Sequence, residues 1–378
     1  MKEFLLMRKD DIIASVQLVK NEYGISELKL NAIFNKDFLP HGLKSANNSN
    51  FNRLLNDWND YRCIPLGRPN YAAIAEEHGI LSQSDLLPLS YMCSLTDSYW
   101  FKTPHDSSSW ADVNFHKNGF SSNLYKSLFY GDNSEPINHF NSPDVTTDGA
   151  LPKMWQQNEN GEFILYKANT TSSPTEACCE VVADVILGEL GIEHVPYWLV
   201  EDNGIILSAC ASFINSDTEE FVSTMNLMRD YGFNNQFDML CKLKELGFGE
   251  DVDCMCLGDS ILGNIDRHAR NYGVIIDADT HQIKRFCPLF DHGGSYIFGN
   301  HGYLPYPPTD MTFNKTIQSL NNDVLCRIEK INTNNILNTI KGLPTSSQEK
   351  DILEKTLVDR IDKITSFIER QEHDIDRK

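Results

Sequence analysis

The 378-residue sequence predicts an α+β protein in which β-rich segments precede a mainly helical part. Short alternating apolar runs bounded by turn residues recur up to about residue 213, a pattern typical of antiparallel strands. Beyond about Thr218 the apolar residues recur mostly at intervals of three and four, which is typical of helices. With 41% hydrophobic and 23% charged residues the composition is that of a globular protein, and the length indicates two or three structural units.

The first third of the chain combines strands with short helices. Alternation and flanking turn residues predict three strands, over residues 4–7, 12–19 and 28–33. Apolar residues at helical spacing, or a Ser/Asp start signal, predict three helices, over residues 51–62, 71–78 and 84–91. The aromatic-rich segment 94–115 is predicted to pack as a cover rather than to form an exposed docking surface, since buried aromatic rings contribute large apolar areas.

The middle of the chain begins with a hairpin. Asn160-Gly161 between apolar runs is a strong turn signal, and the run that follows, up to Lys167, alternates as a strand. A helix is predicted over residues 175–190 with Gly191 as its stop, followed by strands over 195–201 and 205–213.

The last part is predicted to be helical except for one hairpin. Helices are expected over residues 221–228, 236–246 and 252–262, and strands over 273–276 and 283–290. Residues 293–309 are predicted to form a loop because the prolines near its end exclude a regular helix. Ser346 and Glu349 form a capping box ahead of a long amphipathic helix, which we expect to pack on the helical part.

Composition excludes several classes of function. A formal net charge of −20 argues against direct binding of nucleic acid, which depends on Lys and Arg neutralising phosphates, and it disfavours an anionic membrane surface. No segment has transmembrane length. The ten cysteines lack Cys-x-x-Cys pairs and zinc-type spacing, so we expect reduced thiols in a cytoplasmic protein.

The segment DRHARN, residues 266–271, and the hairpin after it carry the strongest chemical signal. Phosphoryl transfer needs a carboxylate to orient the attacking hydroxyl, an amide on the same loop and a second carboxylate for Mg²⁺. Asp266, Asn271 and Asp291 supply these groups. The hairpin is predicted to return Asp291 beside Asn271, so that the two share one metal ion. Alone, the three residues would more often form a polar turn; their order around two strands favours a catalytic site.

The same residues support a resemblance. Asp-Arg-His-Ala-Arg-Asn followed by Pro-Leu-Phe-Asp resembles the HipA-like kinase family. Phosphatidylinositol kinases share Asp-Arg-His-x-x-Asn, so the motif leaves protein and lipid acceptors open. The resemblance covers about residues 95–315 and implies a two-lobed protein-kinase-like fold. Its expected parts are an appended N-terminal α+β domain, a β-rich small lobe and a helical large lobe, over residues 1–140, 141–213 and 214–378.

The resemblance also implies a phosphate-binding loop. Thr146, Gly149 and Lys153 match the family spacing Ser/Thr-x-x-Gly-x-x-x-Lys, although the segment contains neither the P-loop nor the protein-kinase glycine pattern. In the family the loop hydroxyl can become phosphorylated, which makes Thr146 a hypothetical autophosphorylation site. Lys167, at the end of the predicted strand, is preferred as the strand lysine that contacts nucleotide phosphates, and Lys153 is the competing candidate.

A kinase also needs a helix carboxylate to pair with its phosphate-binding lysine. Counting back from Glu189-Leu190-Gly191, which resembles the family's Glu-Leu-Gly, gives Glu180, with Glu176 as the alternative. If neither has this role, the acidic residues of the helix form a solvated face.

The expected activity is ATP- and Mg²⁺-dependent transfer of the γ-phosphoryl group to a protein Ser or Thr hydroxyl. The predicted catalytic residues are Asp266, Asn271 and His268; Asp266 orients the hydroxyl or accepts its proton, and His268 with Arg267 shapes the loop and neutralises charge. The protein substrate is not identified by the sequence.

Two alternatives stay open. The first is a lipid kinase, which the acidic charge and the lack of Lys or Arg over residues 297–312 disfavour. The second is a nucleotide-binding toxin or scaffold module that acts through an antitoxin-like partner. Residues 1–90 match no motif, so the sequence does not extend a toxin-antitoxin role to them.

Overall fold

The computed structural model describes residues 2–120, 122–137, 139–171, 173–295 and 313–375. The chain forms two compact units, each assembled from segments that are distant in sequence. The first unit comprises Met1–Lys167, Ser212–Phe233 and Val274–Arg285, and the second comprises Ala168–Ala211, Asn234–Gly273 and Phe286–Lys378. The α+β class predicted from the sequence is confirmed.

The strands among the described residues are β1 (Lys2–Arg8), β2 (Asp11–Lys20), β3 (Ser26–Ile33), β4 (Tyr99–Lys102), β5 (Lys153–Gln157), β6 (Phe163–Lys167), β7 (Trp198–Asp202), β8 (Ile205–Ala211), β9 (Glu219–Ser223), β10 (Gly273–Asp277) and β11 (Ile283–Phe286). The helices are α1 (Phe51–Arg62), α2 (Tyr71–Glu77), α3 (Trp110–Val113), α4 (Ser122–Tyr125), α5 (Thr175–Glu189), α6 (Thr224–Tyr231), α7 (Gln236–Leu243), α8 (Gly249–Leu262), α9 (Phe313–Ser319), α10 (Asn322–Leu325), α11 (Thr333–Gly342) and α12 (Ser347–Ile375).

The first unit is built on an antiparallel sheet with the strand order β3-β2-β1-β4. The alternating residues of these strands bury one face, and Phe4, paired with Val16, packs with Leu55 and Trp58 of α1 in the same core. A second sheet has the order β11-β10-β9, and β5 and β6 form an antiparallel hairpin.

A second core of the first unit contains the aromatic segment. Trp100 and Trp110 are buried together with Trp155 and Phe163 of the β5–β6 hairpin. The prediction that this segment packs as a cover is therefore confirmed.

The second unit contains α5, the β7–β8 hairpin and the helices α7–α12. Every residue of α8 from Val252 to Leu262 is buried, which agrees with the mostly apolar sequence of this part of the helix. Helix α12 contacts α8 and α11 and buries Leu353, Leu357 and Ile364 on one face, as its amphipathic pattern predicts. Among the described helices, none combines the length and the apolar character that crossing a membrane requires.

Three predictions about elements are wrong. The helix predicted over residues 84–91 is a short 3-10 turn, Gln83–Leu86. The helix predicted over 221–228 begins only at Thr224, because residues 219–223 form strand β9, whose burial alternates and which pairs with β10. The strand predicted over 283–290 ends at Phe286. Most of the loop predicted over 293–309, from residue 296 onward, lies outside the described residues.

Candidate active site

The loop between α8 and β10 holds Asp266 and Asn271 together by hydrogen bonds within the loop. The Asp266 carbonyl accepts from the His268 N–H at 2.7 Å and from the Asn271 side-chain amide at 3.1 Å. The Asn271 N–H in turn donates to the His268 carbonyl at 2.8 Å. Because the Asn271 nitrogen is used inside the loop, its amide oxygen is the atom suited to a cation.

Arg267 is the internal anchor of this loop. Its side chain is 0% exposed and binds both carboxylate oxygens of Asp259, on α8, at 3.0 Å. It also donates to the carbonyls of Asn271 at 2.8 Å and Phe290 at 2.6 Å. Burial alone would lower the pKa of Arg267, but the paired Asp259 carboxylate outweighs it and raises that pKa. The guanidinium therefore fixes the loop that contains Asp266 and Asn271 to Phe290, the residue that precedes Asp291.

Asp291 lies in a backbone conformation that few non-glycine residues adopt, with a φ of 61°. Its N–H donates to the Tyr197 hydroxyl at 3.3 Å. The next N–H, that of His292, donates to the Glu180 carboxylate of α5 at 2.8 Å. Two neighbouring elements thus hold the turn that presents the second carboxylate.

Glu180 is 1% exposed, so it does not belong to a solvated helix face. Glu176, the alternative, is only partly buried and accepts from the Thr170 N–H at 3.2 Å. Of the two candidate helix carboxylates, Glu180 is the one bonded to the segment that carries Asp291.

Gly294 brings the chain after Asp291 against the side chain of Asp266. A Cβ on Gly294 would lie 2.7 Å from the Cβ of Asp266, a distance that real Cβ atoms essentially never show. The absence of a side chain is therefore what permits this approach.

The charges of the second unit suit a divalent cation. Partial burial, together with the charge of Asp291, raises the pKa of Asp266, while His268, Arg267 and Arg270 oppose that shift. The carboxylates of Asp266 and Asp291 interact electrostatically, and the Asn271 side chain is bonded to the Asp266 carbonyl. Carboxylate and amide oxygens are the ligands that Mg²⁺ binds together with water and phosphate oxygens. Asn271 and Asp291 therefore fit the predicted metal site. Among the described residues, no cluster of three His, Cys, Asp or Glu side chains offers an all-protein metal site.

The predicted phosphate loop belongs to the first unit. Thr146 is buried, and its hydroxyl donates to the Cys93 carbonyl at 2.6 Å. Arg68, which is 1% exposed, donates through Nε to the Gly149 carbonyl at 3.0 Å and through Nη2 to the Thr147 carbonyl. Gly149 has a φ of +105°, and the carbonyls of this loop accept from the side chains of Arg68 and Lys153.

The two candidate phosphate-binding lysines face each other. Lys153 of β5 and Lys167 of β6 are register partners, and Lys167 is 4% exposed. The Lys153 ammonium also donates to the Asp148 carbonyl at 3.0 Å, which turns it back over Gly149.

Sequence reasoning missed Asp259, Tyr197 and Arg68. Asp259 left a signal, since it is a carboxylate within the apolar run of α8, and a buried carboxylate needs a partner. Tyr197 and Arg68 left none, because they lie 94 and 79 residues from the groups they bind, Asp291 and Thr147.

Comparison with known proteins agrees with this geometry. No protein-family model matches the chain, and no curated protein matches it. Among solved structures, HipA of Shewanella oneidensis MR-1, in a complex of its toxin-antitoxin system with HipB and operator DNA, matches 97% of this chain and 98% of its own. The TM-score is 0.61 and the sequence identity 12%. The chain has a HipA-like kinase fold.

A second structure shares the HipA-like fold over a shorter stretch. The Helicobacter pylori proinflammatory kinase CtkA matches 58% of this chain and 95% of its own, with a TM-score of 0.50 and 21% identity. The match to HipA extends through the first 90 residues, where the sequence carries no motif. At these identities the likeness concerns the fold, and the predicted site residues stay predictions.

Proposed function

We propose that this chain is an ATP- and Mg²⁺-dependent kinase that transfers the γ-phosphoryl group to a Ser or Thr hydroxyl of a protein. The observation that carries the proposal is the bonded loop in which Asp266, Asn271 and the turn at Asp291 share one anchor, Arg267. A HipA-like fold is consistent with phosphoryl transfer by this set.

Each residue of the loop has a proposed role. Asp266 orients the acceptor hydroxyl and receives its proton. Because the pKa of Asp266 is raised, its carboxylate is a stronger base than an ordinary surface carboxylate. The amide oxygen of Asn271 and the carboxylate of Asp291 would hold Mg²⁺, which supplies charge neutralisation to the phosphates when bound. His268 shapes the loop through its backbone bonds to Asp266 and Asn271.

In the first unit we assign phosphate binding to Lys167, with Lys153 as the competing candidate. Burial supports Lys167, because an ammonium group kept from water gains more from an anion than an exposed one does. Thr146 and Gly149 are proposed to belong to the phosphate loop. Transfer to the Thr146 hydroxyl requires its bond to the Cys93 carbonyl to break first, so autophosphorylation there should be slow relative to an exposed acceptor.

A protein acceptor is favoured over a lipid by the net charge of −20, which would be repelled by an anionic membrane surface. An antitoxin-like protein partner is proposed as a regulator, since the HipA neighbour that matches almost the whole chain is described in complex with HipB.

The decisive experiment is incubation of the purified chain with Mg²⁺-ATP and a generic Ser/Thr protein acceptor. Intact mass and phosphopeptide mapping then follow transfer to the acceptor and to the chain itself. Asp266→Asn and Asp291→Ala are expected to lower transfer at least about a hundredfold, because they remove the hydroxyl-orienting carboxylate and a metal ligand. Asp362→Asn, on the exposed side of α12, is the matched control and should keep wild-type turnover.

Two results would count against the proposal. Equal transfer by the wild type and both variants would remove the assigned roles. Absence of transfer, combined with absence of Mg²⁺-dependent ATP binding in calorimetry, would remove the kinase assignment itself.

A further inference from the structure

The C-terminus of α8 leads directly into the catalytic loop. The helix ends at Gly263, whose φ of 63° is the left-handed conformation that closes helices. The N–H groups of Gly263 and Asn264 both donate to the Asp259 carbonyl. The last carbonyls of any helix lack partners within the helix, so the end of α8 needs donors from elsewhere.

Arg360 of α12 supplies such a donor. It is 3% exposed and lies on the face of α12 that otherwise buries Leu357 and Ile364. Its Nη1 donates to the Ile261 carbonyl at 2.9 Å, which also places a positive charge at the negative end of the α8 dipole.

The guanidinium occupies the space beside Gly263. A Cβ at this glycine would lie 2.8 Å from the central carbon of the Arg360 guanidinium. Real Cβ atoms essentially never make so short a contact. Gly263 thus serves two purposes, since it adopts the positive φ and leaves room for the arginine.

The Asn264 side chain connects the end of α8 to Asp266. Asn264 is 0% exposed; its side-chain nitrogen donates to Asp259 at 3.2 Å, and its side-chain oxygen accepts from the Asp266 N–H at 3.1 Å. A displacement of the helix end therefore reaches the backbone of Asp266 through Asn264.

We propose that Arg360 is a positioning residue for the catalytic loop: it holds the C-terminus of α8 so that Asn264 fixes the backbone of Asp266. The inference rests on the proposed function for its catalytic consequence. It adds that the C-terminal helix, which the sequence indicates only as a packing element, sets the geometry of the residue that orients the acceptor hydroxyl.

The test compares Arg360→Met, which keeps the length and apolar stem but removes the donors and the charge, with Arg360→Lys, which restores a cation and a donor. Arg370→Met is the matched control, because Arg370 lies on the same helix but is exposed and bonds only the Ser366 carbonyl of its own helix among the described residues. Amide hydrogen exchange over residues 263–268 and the kcat of phosphoryl transfer are measured for all three.

Arg360→Met is expected to speed exchange in residues 263–268 about tenfold and to lower kcat about tenfold, while the KM for ATP changes less than about twofold. Arg360→Lys should recover most of both losses, and Arg370→Met should resemble the wild type. A purely structural role would not separate kcat from KM in this way.

Two results would overturn the inference: exchange over 263–268 within about twofold of the wild type in Arg360→Met, or faster exchange spread equally over α5, α8 and α12. The exchange measurement needs no turnover. If the wild type transfers no phosphoryl group, the proposed function fails on that result while the role of Arg360 is still decided by exchange.

Discussion

One loop in each unit is anchored by a buried arginine, but the two arginines are neutralised differently. Arg267 in the second unit binds both oxygens of a buried carboxylate, Asp259, and two backbone carbonyls. Arg68 in the first unit binds only the carbonyls of Thr147 and Gly149, and its Nη1 has no hydrogen-bond partner among the described residues.

The pKa values of the two side chains follow this difference. Burial lowers the pKa of Arg68 to about 10, because the more distant Asp144 and Asp148 only partly offset it. At Arg267 the bound Asp259 carboxylate overcomes burial and raises the pKa. The loop that contains Asp266 is thus held by a buried ion pair, whereas the predicted phosphate loop is held by a guanidinium that donates to backbone carbonyls. We infer that the predicted phosphate loop is the more easily released of the two.

The largest expected effect is on stability. Arg267→Met should lower the free energy of unfolding by about 4 kcal/mol, because it leaves the Asp259 carboxylate buried without a cation. Arg68→Met should cost only about 2 kcal/mol, since it leaves neutral carbonyls unsatisfied. Urea unfolding of both variants measures the difference, with Arg53→Met on the exposed face of α1 as a control that should change little. Equal losses from the two buried arginines would break the contrast.

The second prediction concerns the pH dependence of stability in the first unit, which contains the predicted phosphate loop. Burial raises the pKa of Asp144 from 3.8 to about 6, against hydrogen bonds from Ser142 and Trp155 and the charge of Arg68. The folded state binds this proton more tightly than the unfolded state. The contribution of Asp144 to stability is therefore complete below pH 3.8 and is lost as the pH rises through about 6.

The loss should amount to at most about 3 kcal/mol. Denaturant unfolding of the wild type and Asp144→Asn between pH 4 and pH 7 measures it: the asparagine variant should gain stability relative to the wild type as the pH rises. A difference that stays constant over this range would show that folding does not raise the pKa of Asp144.

The smallest expected effect is on kcat alone, from a change in the position of Asp266 that leaves stability nearly unchanged. Gly294→Ala should lower kcat about tenfold, because the new Cβ displaces Asp266, while stability changes little. Gly293→Ala is the matched control, since a Cβ there would meet Glu176 at 3.4 Å, close to an ordinary contact. If both variants turned over equally, the approach of Gly294 to Asp266 would have no part in orienting the hydroxyl.

Patterns of neighbouring residues were sufficient for much of the fold. Helix α1 was predicted at its observed bounds, and the β5–β6 hairpin was predicted from Asn160-Gly161, because these signals depend on a few adjacent residues. Strand β9 was mistaken for the start of a helix because its identity depends on pairing with β10, about 50 residues away.

For the candidate site, the sequence by itself determined the chemical groups. Asp266, Asn271 and Asp291 are identified by type, order and spacing, which are properties of a linear chain. Tertiary structure alone decided what holds them. Asp259 binds Arg267, 8 residues further along the chain, and Arg360 binds the carbonyl of Ile261, 99 residues before it. Only folding brings such buried polar groups together. Their pairing follows from the cost of burying a charge or a carbonyl without a partner, and that cost arises only once water has been excluded.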